Sequence, residues 1–203
     1  DNNHIKLCLY VNNSHHNFYS LMFSKMLHIH LNHGESEKSC MASNQIKAYD
    51  YGIVCGQRAV ERYGDILINF DDSKLIKVGR PQLDLWSRDK YVGDAEVTVL
   101  YTPTWEGSKS DMEYCSVSEM GYQLVEELIK RRDFQIIYKP HPKLGSVSHS
   151  VFKAHKKIVE LIKRSGNIYV NDQEAFNFFG SADVLITDIS SVAIDFLVTG
   201  KPM

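Results

Sequence analysis

Val184-Leu185-Ile186-Thr187-Asp188-Ile189-Ser190-Ser191-Val192-Ala193-Ile194-Asp195-Phe196 runs from a short branched-chain segment, through hydroxyls and a carboxylate, into a helical pattern. A short apolar run closed by a polar turn reads as a buried strand, and Ser190 or Ser191 is a residue type that starts helices. The same pairing repeats outward from here. Val97–Tyr101, Phe134–Tyr138 and Ile168–Val170 read as strands, and Gln173–Phe179 and Val192–Val198 as short helices. Val117–Arg131 is expected as a helix with Met120, Leu124, Leu128 and Ile129 on one face. Val147–Arg164 is another, with Val151, Phe152, Ile158, Val159 and Ile162 inward, lysines outward, and Ser165-Gly166 closing it. Strands separated by helices of this length imply βαβ crossovers and a parallel sheet covered on both faces.

The first half repeats the alternation less regularly. Ile5–Val11, Leu27–Leu31 and Tyr51–Cys55 read as strands, and Ser14–Met26 as a helix carrying Phe18, Leu21, Met22 and Met26. A helix near Gln57–Tyr63 and short apolar runs at Ile66–Phe70 and Leu75–Val78 follow, until Gly79-Arg80-Pro81 stops the pattern. The expected division is residues 1–85 in one α/β domain, 86–96 as a charged linker, and 97–203 as a doubly wound domain. The chain opens on a strand and stops just after Gly200-Lys201-Pro202, so the fold is expected to be truncated at one or both ends.

Composition excludes some classes. Of 203 residues, 24% are charged and 43% hydrophobic, with a net charge of −2, the balance of a globular domain and not of a bulk nucleic-acid binder. No apolar run approaches the roughly 20 residues of a membrane span, and the polar Asp1-Asn2-Asn3-His4 opens no signal peptide. Cys8, Cys40, Cys55 and Cys115 are widely spaced, which fits reduced thiols in a cytoplasmic protein. His28, His30 and His33 lack a cysteine or carboxylate to complete a zinc set, so no metal is expected.

In an open parallel sheet, ligands bind beyond the carboxyl ends of the strands. The loops there carry Thr102-Pro103-Thr104-Trp105, Lys139-Pro140-His141-Pro142-Lys143, Asn171-Asp172 and Thr187-Asp188-Ile189-Ser190-Ser191. Donors, cations and hydroxyls thus converge on one rim. The last loop either receives a phosphate on free N–H groups or merely caps its helix through Asp188 and Ser190. His141, held between prolines, either binds or protonates a phosphate beside Lys139 or is a loop histidine in a stiff turn. His33-Gly34 is a weaker candidate, a base on an acceptor hydroxyl or an exposed loop residue.

Taken together, these stretches resemble the CDP-glycerol glycerophosphotransferase family of teichoic-acid primases and polymerases. The match is carried by His33-Gly34 with Lys38, by Gly79-Arg80-Pro81-Gln82-Leu83-Asp84, by Tyr101-Thr102-Pro103-Thr104-Trp105, and by Lys139-Pro140-His141-Pro142. Thr187-Asp188-Ile189-Ser190-Ser191 with Asp195-Phe196 and Gly200-Lys201-Pro202 complete it. The resemblance implies an α/β, GT-B-like fold of two Rossmann-like domains. It implies transfer of glycerol phosphate, or a related alditol phosphate, from a CDP-activated donor to a hydroxyl of a lipid-linked acceptor. No cofactor, metal or nucleic acid is implied, and the location would be the cytoplasm, peripheral on the inner face of the plasma membrane.

By the same resemblance His33 would activate the acceptor hydroxyl, with Gly34 and Lys38 on the acceptor side. His141 would stabilise the donor diphosphate, sharing its charge with Lys139 and the Ser190/Ser191 helix terminus. Pro103, Thr104, Asp172, Glu174, Thr187 and Asp188 would complete the donor site. Two positions depart from the family pattern: Glu35-Ser36 stand where Thr-Pro follows the His-Gly, and Glu106 stands where a basic residue often follows Pro-Thr-Trp. The alternatives are a GT-B glycosyltransferase or sugar-nucleotide epimerase using a UDP-sugar, and a non-catalytic nucleotide-binding module, to which Glu35 and Glu106 give weight.

Overall fold

The computed structural model describes residues 4–36, 38, 41–88, 96–107 and 113–203. Most of the linker, the middle of the polar Gly107–Ser116 loop and Cys40 lie outside them. The chain divides into two compact units, Asp1–Glu35 with Ser39–Pro81, and Ser36–Lys38 with Gln82–Met203. The second therefore takes in Lys38 and the segment from Gln82, and Leu83 and Trp86 pack against its core.

The first unit is built on a parallel sheet of β1 (Leu7–Tyr10), β2 (Leu27–His30), β3 (Tyr51–Val54) and β4 (Leu75–Lys77), in that order. Cys8 and Tyr10, His28 and His30, and Val54 point to a core completed by Ile46, Tyr49 and by Ala59 and Tyr63 of α2 (Gln57–Ile66). Among the described residues nothing covers the opposite face. Leu7, Leu9, Leu27, Tyr51 and Ile76 are 40–51% exposed, contrary to the two-sided burial expected of a parallel sheet. The helix expected over Ser14–Met26 shrinks to a 3-10 turn and α1 (Phe18–Leu21), because Phe18 and Met22 find no core to pack on.

The second unit carries β5 (Val97–Thr102), β6 (Phe134–Tyr138), β7 (Ile168–Tyr169) and β8 (Val184–Thr187), all parallel, in the order β7-β6-β5-β8. Both faces are covered. Tyr101, Ile136 and Tyr138 meet α3 (Tyr122–Ile129) and α4 (His149–Arg164) through Val125, Val151, Ile158 and Ile162. Leu100, Ile137 and Leu185 meet Phe178, Phe179 and Phe196, the last on α5 (Ser191–Phe196). Two expected core positions are displaced. Met120 is exposed because Val117–Gly121 forms a π turn that offers Val117 and Gly121 to the core instead, and Phe152 of α4 is 38% exposed with Lys156 Nζ over its ring. Gly121 is needed there, since a Cβ would lie 3.1 Å from the Tyr101 hydroxyl.

The strand order reverses between β5 and β8. That switch point opens the crevice where an open α/β sheet receives ligands. At the other end of the sheets an acidic or amide residue just before one strand holds an N–H near the start of its neighbour. Asp50 accepts from His28 N at 2.8 Å, Asn167 from Ile136 N at 2.7 Å, and Asp183 from Thr98 N at 2.8 Å.

Candidate active site

The loops after β5 and β8 are stitched together at the switch point. Thr187 Oγ1 donates to Thr102 O at 2.8 Å, and Thr104 N donates to the Asp188 carboxylate at 2.9 Å. Ser116 N lies 3.4 Å from the same Asp188 oxygen. Asp188 is thus committed to backbone donors from the two ends of the loop after β5. Ser190 stands at the N-cap of α5 but its hydroxyl makes no cap bond, lying instead 3.3 Å from Thr187 Oγ1. Neither residue acts as the simple side-chain cap that the sequence left open.

The loop after β6 is templated on the loop after β5. Lys139 N donates to Tyr101 O at 2.9 Å and His141 N to Pro103 O at 3.0 Å. The Trp105 ring stacks on His141 at 6.0 Å and 22°, and Lys143 Nζ lies 5.2 Å from the Trp105 centroid. Lys139 is buried, with Nζ on Pro140 O at 3.1 Å. Burial lowers its pKa, and the carboxylates of Glu174 and Asp172 pull the other way. Pro103 and Thr104 are buried at this rim, while Asp172 and Glu174 are exposed on the loop after β7.

Lys38 lies with these residues. Its Nζ is 3.4 Å from Thr104 Oγ1 and 5.3 Å over the Tyr114 ring, and the side chain is buried. The family resemblance implies an acceptor-side Lys38 beside His33; the fold sets its charge beside Thr104.

The two histidines are fixed in opposite tautomers. His141 Nδ1 accepts from Lys143 N at 3.0 Å, so a neutral ring carries its proton on Nε2 and is a donor there. His33 Nδ1 lies 2.9 Å from Val11 O, a pure acceptor, so Nδ1 holds the proton and Nε2 keeps its lone pair. Gly34 after it is buried. His28 and His30 are structural: the first bridges the Tyr10 hydroxyl and Phe23 O, and the second stacks on Tyr49.

Both departures from the family pattern are neutralised locally. Glu35 is buried in an ion pair with Arg62 of α2. Glu106 accepts from Gly145 N, Val147 N and Ser148 N at 2.8–2.9 Å. The signal available in the sequence was only that both carboxylates lie beside motif residues. A cavity of about 460 Å³ opens where Thr187, Asp188 and Ser190 meet Ile189, Ile194 and Met203. Its lining is mainly apolar and contains no cation, so it suits an uncharged group and not a diphosphate. Among the described residues no cluster of three or more metal-ligating side chains is present, and no helix is long and apolar enough to cross a membrane.

Comparison with known proteins places this geometry. The teichoic acid glycerol-phosphate primase of Bacillus subtilis (strain 168) is 24% identical over 163 residues, 77% of this chain and 39% of the relative. The wall teichoic acid polymerase TagF, in a structure soaked with CDPG, superposes with a TM-score of 0.67 at 16% identity, covering 97% of this chain and 53% of that one. A similar fold is found in the S. aureus MnaA–UDP structure, with a TM-score of 0.63 at 11% identity over 97% of this chain and 57% of that one. The chain thus spans less than two thirds of the length of these relatives, and the solved structures establish an α/β, GT-B-like fold. The model of the CDP-glycerol:poly(glycerophosphate) glycerophosphotransferase family matches residues 10–203, and the chain belongs to that family.

Proposed function

We propose that this chain carries out transfer of glycerol phosphate, or a related alditol phosphate, from a CDP-activated donor to a hydroxyl of a lipid-linked cell-wall acceptor. The observation that carries the reading is the fixed Nε2–H donor of His141 beside the buried Lys139 in the second unit. His33 of the first unit, whose Nε2 keeps its lone pair, is proposed as the base. The acceptor oxygen attacks the donor's β-phosphorus, His33 Nε2 takes the hydroxyl proton, and the bond to the bridging oxygen breaks as CMP leaves. His141 Nε2–H, Lys139, Lys38 and the α5 terminus with Ser190 and Ser191 stabilise charge on the diphosphate. Thr104 and Thr187 hold the rim, Pro103, Asp172 and Glu174 border the nucleotide, and Asp188 fixes loop geometry. The proposed step uses no metal or cofactor. The relatives' names support a teichoic-acid product, and the proposed location of the reaction is the cytoplasmic face of the plasma membrane.

The likeness to the MnaA–UDP structure favours a second reading, chemistry at the sugar of a UDP-sugar. The non-catalytic reading loses its support, because Glu35 and Glu106 are compensated inside the fold. Calorimetric titration with CDP-glycerol, CDP-ribitol and UDP-GlcNAc decides between them. Binding of a CDP-alditol that weakens at least tenfold in His141→Gln is expected. Binding of UDP-GlcNAc alone would move the chain to the second reading, and binding of none would remove the donor assignment.

A further inference from the structure

Glu106 stands on the loop after β5, yet what it binds is the segment that follows His141. Its side chain is 7% exposed and takes three backbone N–H groups, Gly145 N on Oε2 at 2.9 Å and Val147 N and Ser148 N on Oε1 at 2.8 and 2.9 Å. Burial by itself would push this carboxyl up. The backbone donors, Ser148 N first and Glu106's own N–H with Gly145 N and Val147 N after it, outweigh it, and the group is held below the usual carboxylate range. A lysine or arginine here would bring cation donors against three N–H donors, so the acid is the residue type this backbone requires.

What the carboxylate fixes is the turn connecting His141 to α4. Within it Leu144 N donates to His141 O at 2.9 Å and Ser146 N to Lys143 O at 3.1 Å. Gly145 adopts φ +78°, and a Cβ there would lie 2.9 Å from Phe152 Cα, so this turn requires glycine at that position. The same turn delivers Lys143 N to His141 Nδ1. Trp105, the residue before Glu106, closes the other side of the His141 ring by stacking on it.

We propose that Glu106 is a positioning residue for His141, holding the 145–148 backbone so that Lys143 N–H stays on Nδ1 and the imidazole presents Nε2–H outward. The inference rests on the reading of His141 as the group that addresses the donor diphosphate, but its structural content is testable without any substrate.

The test is nitrogen-resolved NMR of the imidazole rings at neutral pH, with the His141 signal assigned from its loss in His141→Gln. Wild type is expected to show His141 as a single Nε2–H tautomer. Glu106→Ala is expected to raise the Nδ1–H population several-fold, and Glu106→Gln, which keeps one accepting oxygen and folds even if the alanine variant does not, to move it less in the same direction. Val125→Ala, a buried change on α3 outside this turn, lowers the melting temperature and is expected to leave the His141 tautomer as in wild type. If both Glu106 variants retain the wild-type tautomer, or Val125→Ala shifts it as much, the proposal is overturned. By calorimetry Glu106→Gln is expected to weaken CDP-glycerol binding in the same direction as His141→Gln, by a smaller factor. A wild-type chain that fails to bind that donor would count against the donor assignment alone and leave the tautomer result standing.

Discussion

At the scale of single residues, two buried basic side chains give opposite kinds of test. His30 is 2% exposed and its Nε2 has no hydrogen-bond partner among the described residues. Burial, and then the charge of nearby His33, lowers its pKa to about 4. Below pH ~6.5 the unfolded chain takes a proton here that the folded chain refuses, so stability falls as pH drops from ~6.5 toward 4, by ~3 kcal/mol at most. His30→Phe, which keeps a ring beside Tyr49, is expected to flatten that part of a urea-midpoint profile; an unchanged slope would assign the pH dependence elsewhere. Lys38 is a test of binding. Lys38→Met removes a charge-assisted donor worth ~1.5–3 kcal/mol, so CDP-glycerol affinity should fall about tenfold or more by calorimetry. Undiminished affinity would return Lys38 to the acceptor side. The identities of His33 and His141 were legible in the sequence, but their tautomers were not. Those depend on Val11 O and on Lys143 N, partners that only the folded backbone supplies. Glu106 was visible only as a departure, because its three partners lie 39 to 42 residues away.

At the scale of elements, the second unit was legible because each of its strands is a short apolar run with a helix beside it to bury both faces. Ile136 and Ile137 are adjacent, and each lies in a different core. The Ser14–Met26 pattern had the helical period without a partner surface, and a period reports which residues share a face, not whether anything covers it. The π turn before α3 escaped for a related reason: close approach at Gly121 to Tyr101 and Ile158 decides which residues face inward, and a regular helix read from the sequence places Met120 there instead. The strand-end device makes a prediction that belongs to this scale. Asp183→Ala leaves Thr98 N without its acceptor at the start of β5, and should cost ~1–3 kcal/mol in denaturant unfolding. Asn167→Ala at β6 removes the corresponding bond to Ile136 N and should cost a similar amount, independently of the first. Strict additivity failing between them would mean the two strand ends are energetically coupled.

At the scale of the molecule, the two units solve the same burial problem to different extents. Leu7-Cys8-Leu9-Tyr10 is a continuous apolar run, the pattern of a parallel strand covered on both sides. Cys8 and Tyr10 reach the core, whereas Leu7 and Leu9 remain about half exposed beside Leu27 of β2. With Tyr51 and Ile76 they form an apolar stripe across four parallel strands. The second unit leaves no such stripe on its described strands, since α3 and α4 cover one face of its sheet and the Phe178, Phe179 and Phe196 cluster the other. Water against several contiguous apolar side chains is the unfavourable arrangement that burial removes, at roughly 25 cal/mol per Å². This chain should therefore bind an environment-sensitive apolar dye in its native state, well below the temperature at which it melts. Leu9→Glu places a carboxylate in the middle of the stripe without touching the core on the other side. It is expected to reduce native-state dye binding several-fold while changing stability by no more than ~0.5 kcal/mol, as substitutions at exposed positions do. Dye binding that survives Leu9→Glu but disappears in Ile189→Glu would transfer the effect to the apolar cavity beside β8, where Ile189 is exposed. A large loss of stability in Leu9→Glu would show instead that the β1 face is packed in solution.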